Sequence, residues 1–485
     1  MKALAAVLDK KGGNAVQKVG VMLNLLGRNH ADAFCIATPD STFVDASLER
    51  LPTKELKAST ASGKVFLKVL ATDTPQLTNF RKSSLVFDGR IYHPPATVSE
   101  AAFMEKLRAD GAVAAAEALV RKFDGCFAFT VTEDKKLIVG RDSLGLYPLY
   151  YGENRDFFAV ASECKALWKI GITETKSFPP GHVAIADRKG FKVKHVKTPK
   201  SLVHPLSMEK AVEKLQRLLS LSVVKRTAGL DEVAVAFSGG LDSSLIAFLV
   251  EKAGVEVNLI HVSLENQRET VQAEETARLL GLPLHKGIYS EGDVKKVLPK
   301  VLWCIEASDP LKASIGIPVY WAAEKAAELG FKVLLAGQGA DELFGGYRRY
   351  LTLYSRLGGN FAQEAIINDI LKLHESNLER DVKICSFHGV ELRLPFVSYP
   401  LVKFALSLPL NLKIASTNDM LRKTVLRKTA EKLGLPKQIA YKPKKAVQYA
   451  TGVNKTLKRL AEQENLPLKQ YLQKVFRIVS KLLEE

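Results

Sequence analysis

The sequence predicts two architectures in tandem. The first is an α+β N-terminal domain of layered antiparallel sheets. The second is an α/β doubly wound parallel-sheet domain with a helical C-terminal extension. Three observations predict this. Residues 1–195 read as short apolar runs punctuated by Asp, Gly and Pro, the pattern of strands joined by turns. From Ser207 onward, strands alternate with amphipathic helices, as in a parallel sheet with crossover helices. Beyond Tyr350 the pattern is mainly helical. A chain of 485 residues is long for one domain, so the expected division is 1–195, a linker at 196–206 and 207–485. The linker lies in a basic, Pro-punctuated stretch that begins at Lys192.

The elements follow in order. Leu85–Tyr92 and Cys126–Val131 are apolar runs bounded by Asp and Gly, and between them Glu100–Phe123 is rich in Ala, Leu and Glu, as a helix is. Pro179-Pro180-Gly181 marks a turn before the strand Val183–Ala186. Past the linker, Val212, Leu215, Leu219 and Val223 share one face of a helix that begins near Ser207. Val233–Phe237 then reads as a buried strand, and Val257–Val262 and Lys332–Ala336 repeat its pattern.

Composition excludes several classes. The chain is 47% hydrophobic and 25% charged, which rules out a disordered or fibrous protein. Its five cysteines, at 35, 126, 164, 304 and 385, form no CxxC pair, which argues against zinc ribbons and thioredoxin chemistry and for a reducing, cytoplasmic setting. The N-terminal apolar run is too short for a signal peptide, and no run of 18 apolar residues follows, so no membrane span is expected. The net charge is +18, with +9 in residues 1–200, −3 in 201–400 and +12 in 401–485. The basic run Leu421–Lys428 has helical periodicity and reads as a solvated helix face, with an anionic partner as the other reading.

Strand 233–237 runs into Ser238-Gly239-Gly240-Leu241-Asp242-Ser243-Ser244 and then an apolar helix. The glycines let backbone N–H groups approach an anion, and the helix N-terminus adds its positive end. Asp242 would repel bare phosphate, so it argues for a bridging Mg2+. Without a GK[ST] sequence this is no Walker A loop. A second strand ends in Gly337-Gln338-Gly339-Ala340-Asp341-Glu342-Leu343-Phe344-Gly345-Gly346-Tyr347. Both loops are expected at strand C-terminal ends, where Asp242 and Asp341, 99 positions apart, would share one cation. The plainer reading of each loop is an ordinary capped strand–helix turn.

Here the residues resemble a known family. Ser238–Ser244 is similar to the pyrophosphate loop of N-type ATP pyrophosphatases. Together with Gly337–Tyr347, Gly389–Phe396 and Lys442–Tyr449, it resembles the asparagine synthetase family. Upstream, Phe123–Phe129, Arg141–Tyr151 and Ser162–Leu167 resemble that family's class II glutamine amidotransferase domain. The resemblance implies that a carboxylate, aspartate by default, attacks the α-phosphate of ATP and releases pyrophosphate. An amine then displaces AMP from the acyl-adenylate. It further implies that Ser238, Gly239, Gly240, Leu241, Asp242, Ser243 and Ser244 hold pyrophosphate, and that Asp242 and Asp341 bind Mg2+. Phe237, Val262, Ala336 and Gly337 would line the adenosine site. Lys444 would stabilise charge developing on the phosphates, with Lys442 and Lys445 as alternates.

Three departures concern the glutaminase. The family uses a cysteine at position 2, with its own α-amino group as base, where this chain has Lys2. Asp88-Gly89-Arg90 stands where the family has Asn-Gly-Glu. An ionised carboxylate cannot donate to an oxyanion, and an Arg repels the glutamine ammonium. The family's downstream Ser-Asp pair has no counterpart in His93–Glu105. The N-terminal domain is therefore expected to keep its fold without glutaminase activity, leaving ammonia as nitrogen donor. In the synthetase half, Gln338 replaces the family Glu and cannot act as a base.

Two alternatives remain: Gln338 leaves open an amide or lactam ligase acting on another carboxylate, and the basic residues 401–485 leave open a pyrophosphate-loop enzyme acting on tRNA. The second is not favoured, because no RNA-binding module or cluster of exposed aromatics accompanies the basic C-terminus. The expected partners are thus a small carboxylate and ammonia or an amine, with a homodimer left open. His388, Glu391 and Arg393 are read as braces near the nucleotide site, and Ser308–Pro310 and Ser314–Tyr320 fall where the family forms its carboxylate pocket.

Overall fold

A computed structural model of the chain describes residues 3–27, 31–71, 73–93, 96–443 and 451–481. It divides into two compact units, Met1–Thr198 and Pro199–Val479.

The first unit holds two antiparallel sheets. One has seven strands in the order Lys176–Ser177, Tyr150–Glu153, Phe157–Ala161, Leu4–Asp9, Thr60–Phe66, Ala33–Ala37 and Thr42–Asp45. Leu4–Asp9 sits inside this sheet and is buried along its whole length, so it reads apolar at nearly every position rather than alternating. The other sheet has six strands, in the order Gly190–His195, His182–Asp187, Lys136–Arg141, Asp124–Glu133, Ser83–His93 and Leu77–Phe80. Its long central pair places Leu85 opposite Val131 and Phe87 opposite Phe129. Helix Ala96–Lys122 covers these side chains, and Leu119, Phe123, Phe127, Phe129 and Ile138 form one core. The helix starts earlier than Glu100 and is broken at Gly111, whose φ of 82° no helix accepts.

The second unit is built on a five-stranded parallel sheet. Its order is Leu284–Tyr289, Glu256–Leu264, Glu232–Ala236, Val333–Leu335 and Glu391–Arg393. The chain builds outward from Glu232–Ala236 to one side, then returns and builds to the other. The switch point therefore lies between Glu232–Ala236 and Val333–Leu335, where open α/β sheets bind ligands. Helix Met208–Thr227 begins where the sequence predicts, with the Ser207 hydroxyl accepting from the Lys210 N–H at 3.4 Å. Its Val212, Leu215, Leu219 and Val223 are buried, each stabilising the fold by about 1.5–3 kcal/mol. From Arg348 to Phe387 the chain is helical, as expected.

The basic run Leu421–Lys428 corrects an expectation. Helix starts only at Thr424, and Arg422, Lys423 and Arg427 are buried rather than presented on a solvated face. All five cysteines are free thiols. Among the described residues, no helix is long and apolar enough to cross a membrane.

Candidate active site

Both Gly-rich loops leave the C-terminal ends of the two strands that flank the switch point. Gly239 takes φ +67°, and a Cβ there would lie 2.8 Å from Ala273 Cα. That close approach lets the loop turn against helix Arg268–Leu280. Gly240 caps helix Leu241–Lys252, which carries Asp242 in its first turn. The hydroxyls of Ser238 and Ser243 lie 3.3 Å apart, and Ser243 Oγ also accepts from the Ser238 N–H at 3.3 Å. Ser244 and Leu241 are buried under the loop. Phe237 lies at the strand end, where its carbonyl is 2.9 Å from His261 Nδ1. Val262 and Ala336, on the neighbouring strand and the second loop, are also buried.

The second loop packs edge-on against the first. A Cβ on Gly337 would come within 2.9 Å of Asp242 Cβ, so only glycine allows the two loops to meet. Gly339 has φ +91° and caps the short helix Ala340–Phe344, which places Asp341 in its first turn. Asp242 and Asp341 are thereby brought together, as expected from their positions on two such loops.

What lies between them was not foreseen. Lys423 Nζ is 2.6 Å from Asp242 Oδ2 and 2.6 Å from Asp341 Oδ1, with only 3% of its side chain exposed. Burial pulls this ammonium below the usual lysine range, against the attraction of Asp242. Gly346 makes room, since a Cβ there would collide with both Asp341 Oδ1 and Lys423 Cε. No signal in the sequence separated Lys423 from its basic neighbours.

A second cation reaches the first loop. Lys442 Nζ donates to the Gly239 carbonyl at 3.2 Å, the Gln272 carbonyl at 3.4 Å and Thr276 Oγ1 at 3.1 Å. Lys444 and Lys445 lie outside the described residues. Arg427 secures both cation-bearing segments. Its Nε and Nη2 donate to the carbonyls of Arg422 and Leu421, each at 2.8 Å. Its Nη1 donates to the carbonyls of Ala440 and Lys442 at 2.6 and 3.1 Å.

Around the second loop runs a buried polar network. Gln338 Nε2 donates to Asp381 Oδ2 at 2.7 Å, and Arg380 donates to both oxygens of Asp381. Glu342 accepts from Tyr347 Oη at 2.5 Å and Asn377 Nδ2 at 2.7 Å. Burial pushes the Glu342 carboxyl up, with the Tyr347 hydrogen bond opposing. Arg393 Nε donates to Glu391 Oε1 at 2.9 Å and its Nη1 to the Arg226 carbonyl at 2.6 Å, which ties the edge strand to helix Met208–Thr227. Asp309 caps helix Pro310–Glu328 through the Lys312 N–H, and Ser314 donates to the Leu311 carbonyl. Both polar groups are thus engaged in local helix contacts.

The sequence matches the asparagine synthase family over residues 214–363 and 356–477. A glutamine amidotransferase domain family matches residues 68–169. A Methanocaldococcus jannaschii protein that carries the name of a glutamine-hydrolysing asparagine synthetase is 35% identical over 400 residues, covering 72% of this chain and 73% of its own. The chain belongs to the asparagine synthetase family. Two Arabidopsis thaliana relatives, asparagine synthetases [glutamine-hydrolyzing] 2 and 1, are 30% and 31% identical over 70% and 69% of this chain. The chain spans 60% and 59% of their lengths. Among solved structures, a glutamine phosphoribosylpyrophosphate amidotransferase from B. subtilis aligns at 14% identity over 59% of this chain and 65% of its own, with a TM-score of 0.35. That likeness is too loose to argue from.

The amidotransferase-like unit pairs several of its charged groups internally. Lys2 lies outside the described residues. Asp88 accepts from the Ala3 N–H at 3.1 Å and from Tyr147 Oη at 2.5 Å, and Lys64 Nζ stands 3.8 Å from its Oδ1. Lys64 also donates to the Phe87 carbonyl at 2.7 Å. Arg90 pairs with Asp73 at 3.0 and 3.3 Å through both guanidinium nitrogens. Burial works against the Asp73 carboxylate, yet Arg90 holds its carboxyl below the usual range. Cys35 is buried beside Lys64 and Asp88, and burial pushes its thiol up to about 11. Burial of this kind is the setting of a structural rather than a reactive cysteine.

Proposed function

We propose that this chain is an ATP-dependent, AMP- and pyrophosphate-forming ligase that makes an amide on a small carboxylate, with aspartate as the first candidate and ammonia as the nitrogen donor. The observation that carries the reading is the meeting of Asp242 and Asp341 around one positive charge at the sheet's switch point. On one side, Ser238, Gly239, Gly240, Leu241, Ser243 and Ser244 offer hydroxyls, loop N–H groups and a helix N-terminus to pyrophosphate. On the other, Phe237, Val262, Ala336 and Gly337 supply an apolar wall for adenosine.

Mg2+ fits the carboxylate pair by donor chemistry. Asp242 Oδ1 is buried without a hydrogen-bond partner among the described residues. No group of three or more His, Cys, Asp or Glu suited to a metal occurs among them. Two carboxylates completed by substrate phosphates is the usual way proteins hold Mg2+. Bound there, it would supply positive charge where pyrophosphate separates from AMP. The chain's own residues do the rest. Lys442, fixed on the Gly239 carbonyl, brings a second charge to the loop, and Lys444 follows it in the same segment. The substrate carboxylate oxygen attacks the α-phosphorus, pyrophosphate leaves, and the amine then expels AMP from the acyl-adenylate.

The first unit supports ammonia as the nitrogen donor. Asp88 is engaged by three hydrogen-bonding or charged partners and Arg90 by Asp73, so the positions where the family would bind glutamine hold internal pairs instead. We read residues 1–195 as a structural domain without glutaminase activity, residues 207–485 as the ligase, and the cytoplasm as its setting. One observation favours a different carboxylate or amine: Gln338, in place of the family Glu, is committed to Asp381 rather than free to accept a proton.

A pyrophosphate-release screen with ATP, Mg2+ and a panel of carboxylates, with and without ammonia, tests the reading. Release that requires aspartate, and that continues past one equivalent per enzyme only with ammonia, is expected. Release with another carboxylate would redirect the substrate, and release that survives Asp242→Asn undiminished would overturn the site.

A further inference from the structure

Lys423 is delivered to its position by a built local structure. Arg422 and Lys423 are consecutive non-glycine residues in the left-handed region, with φ of 54° and 56°. Such residues are costly and persist only where their surroundings over-determine them. Here Asp419 Oδ1 accepts from the N–H groups of Leu421 and Arg422, Arg427 donates to both of their carbonyls, and Arg422 Nε donates to the Gly346 carbonyl at 3.0 Å. Gly346 leaves the space that the Lys423 stem fills. The result is an ammonium shared by Asp242 and Asp341 at 2.6 Å from each.

We propose that Lys423 is an internal cation that holds the Asp242–Asp341 pair closed in the absence of nucleotide, so that a divalent ion enters only together with ATP phosphates. The proposal rests on the reading of this pair as the metal carboxylates. Without Lys423, two facing and largely buried carboxylates would repel each other and bind a free divalent ion. With it, an incoming ion meets a positive charge already seated on one oxygen of each carboxylate. Nucleotide phosphates change the balance, because they offer the ammonium a new anion and bring ligands that the two carboxylates cannot supply. The metal and Lys423 would then both face the polyphosphate, and the pair would open only when substrate is present.

Mn2+ binding to the full-length protein, followed by electron paramagnetic resonance, tests this. The first arm adds α,β-methylene-ATP to the wild type: bound Mn2+ that disappears in Asp242→Asn establishes the metal site, and its absence would remove that reading and the proposal with it. The second arm omits nucleotide. The wild type should then show no Asp242-dependent site below about 1 mM free Mn2+, roughly the affinity of the weakest EF-hand class. Lys423→Met and Lys423→Gln should each bind Mn2+ at least tenfold more tightly without nucleotide. Their melting temperatures should be depressed without metal and recover when Mn2+ is added. Equally tight Asp242-dependent binding by the nucleotide-free wild type would overturn the proposal even if neither variant folds. So would folded variants that gain no binding while the first arm succeeds.

Discussion

The side-chain amide of Gln338 donates from Nε2 to Asp381 Oδ2 at 2.7 Å. Asp381 is buried, and Arg380 occupies both its oxygens, so the acceptor is fixed and the amide can satisfy it only with its nitrogen. A glutamate in this place would set two carboxylates against each other beside one guanidinium. Gln338→Glu should therefore take up a proton on folding. Its raised folded-state pKa makes it less stable than the wild type at pH 8 by about 1–3 kcal/mol, and the deficit should shrink as the pH falls toward 5. Denaturant titrations at the two pH values measure it. A deficit that does not change with pH would contradict the pairing.

Lys413 supplies a second pH signature. Its ammonium is fully buried, has no hydrogen-bond partner among the described residues, and is pulled by burial down to about 7. A lysine depressed in the folded state binds its proton more weakly there than in the unfolded chain. Stability should therefore rise with pH between about 7 and the free-lysine value near 10.4. Lys413→Met should raise stability at pH 7 by roughly 3–5 kcal/mol, a gain that fades by pH 10. Paired unfolding curves at pH 7 and 9.5 give the difference directly.

In the first unit, Lys64 stands 3.8 Å from Asp88, and neither side chain is more than 9% exposed. Removing one partner leaves the other charge buried. Lys64→Met should cost about 3–5 kcal/mol, and adding Asp88→Asn, which keeps an acceptor for the Ala3 N–H and Tyr147 Oη, should recover part of it. Asp88→Asn, which restores the family residue, should not restore glutaminase activity. Glutamate release from glutamine by that variant would contradict the reading of the pocket.

Arg427 ties the Leu421–Arg422 turn to the Ala440–Lys442 segment with four hydrogen bonds. Arg427→Ala should lower kcat by about 100-fold or more, since misplacement of positioning groups by about 1 Å has that scale of effect. Arg427→Lys, which keeps the charge but loses the fork, should recover little. Lys442→Ala should act on the loop itself and raise KM for ATP more than Arg427→Lys does. Steady-state kinetics of the three variants separate these outcomes.

Much of the fold was legible because its signals are local. The strand Glu232–Ala236 with its Gly-rich turn and apolar helix, and the Ser207 cap, each lie within a few residues of one another. Asp242 and Asp341 were legible for the same reason, each at the head of a helix after a glycine. Lys423 was not. It meets Asp242 from 181 positions away, through a left-handed turn whose sequence, Leu421-Arg422-Lys423, looks like helix. Part of the basic C-terminal excess is likewise hidden from a sequence reading. Arg422, Lys423 and Arg427 are buried against carbonyls and carboxylates, so periodicity assigned to solvent charges that tertiary contacts place inside. The departures at Asp88 and Arg90 were legible in the sequence, but their partners Lys64 and Asp73 lie on other segments and needed the fold.

Acyl-adenylate formation at the Asp242–Asp341 site is the central step of the proposed reaction. Aspartate labelled with 18O in its side-chain carboxylate, turned over with ATP, Mg2+ and ammonia, tests this most directly. One 18O atom per turnover should appear in the phosphate of AMP, because the attacking oxygen leaves with it when the amide forms. Asp242→Asn should abolish the transfer. Label in inorganic phosphate, or amide formed alongside unlabelled AMP, would contradict it.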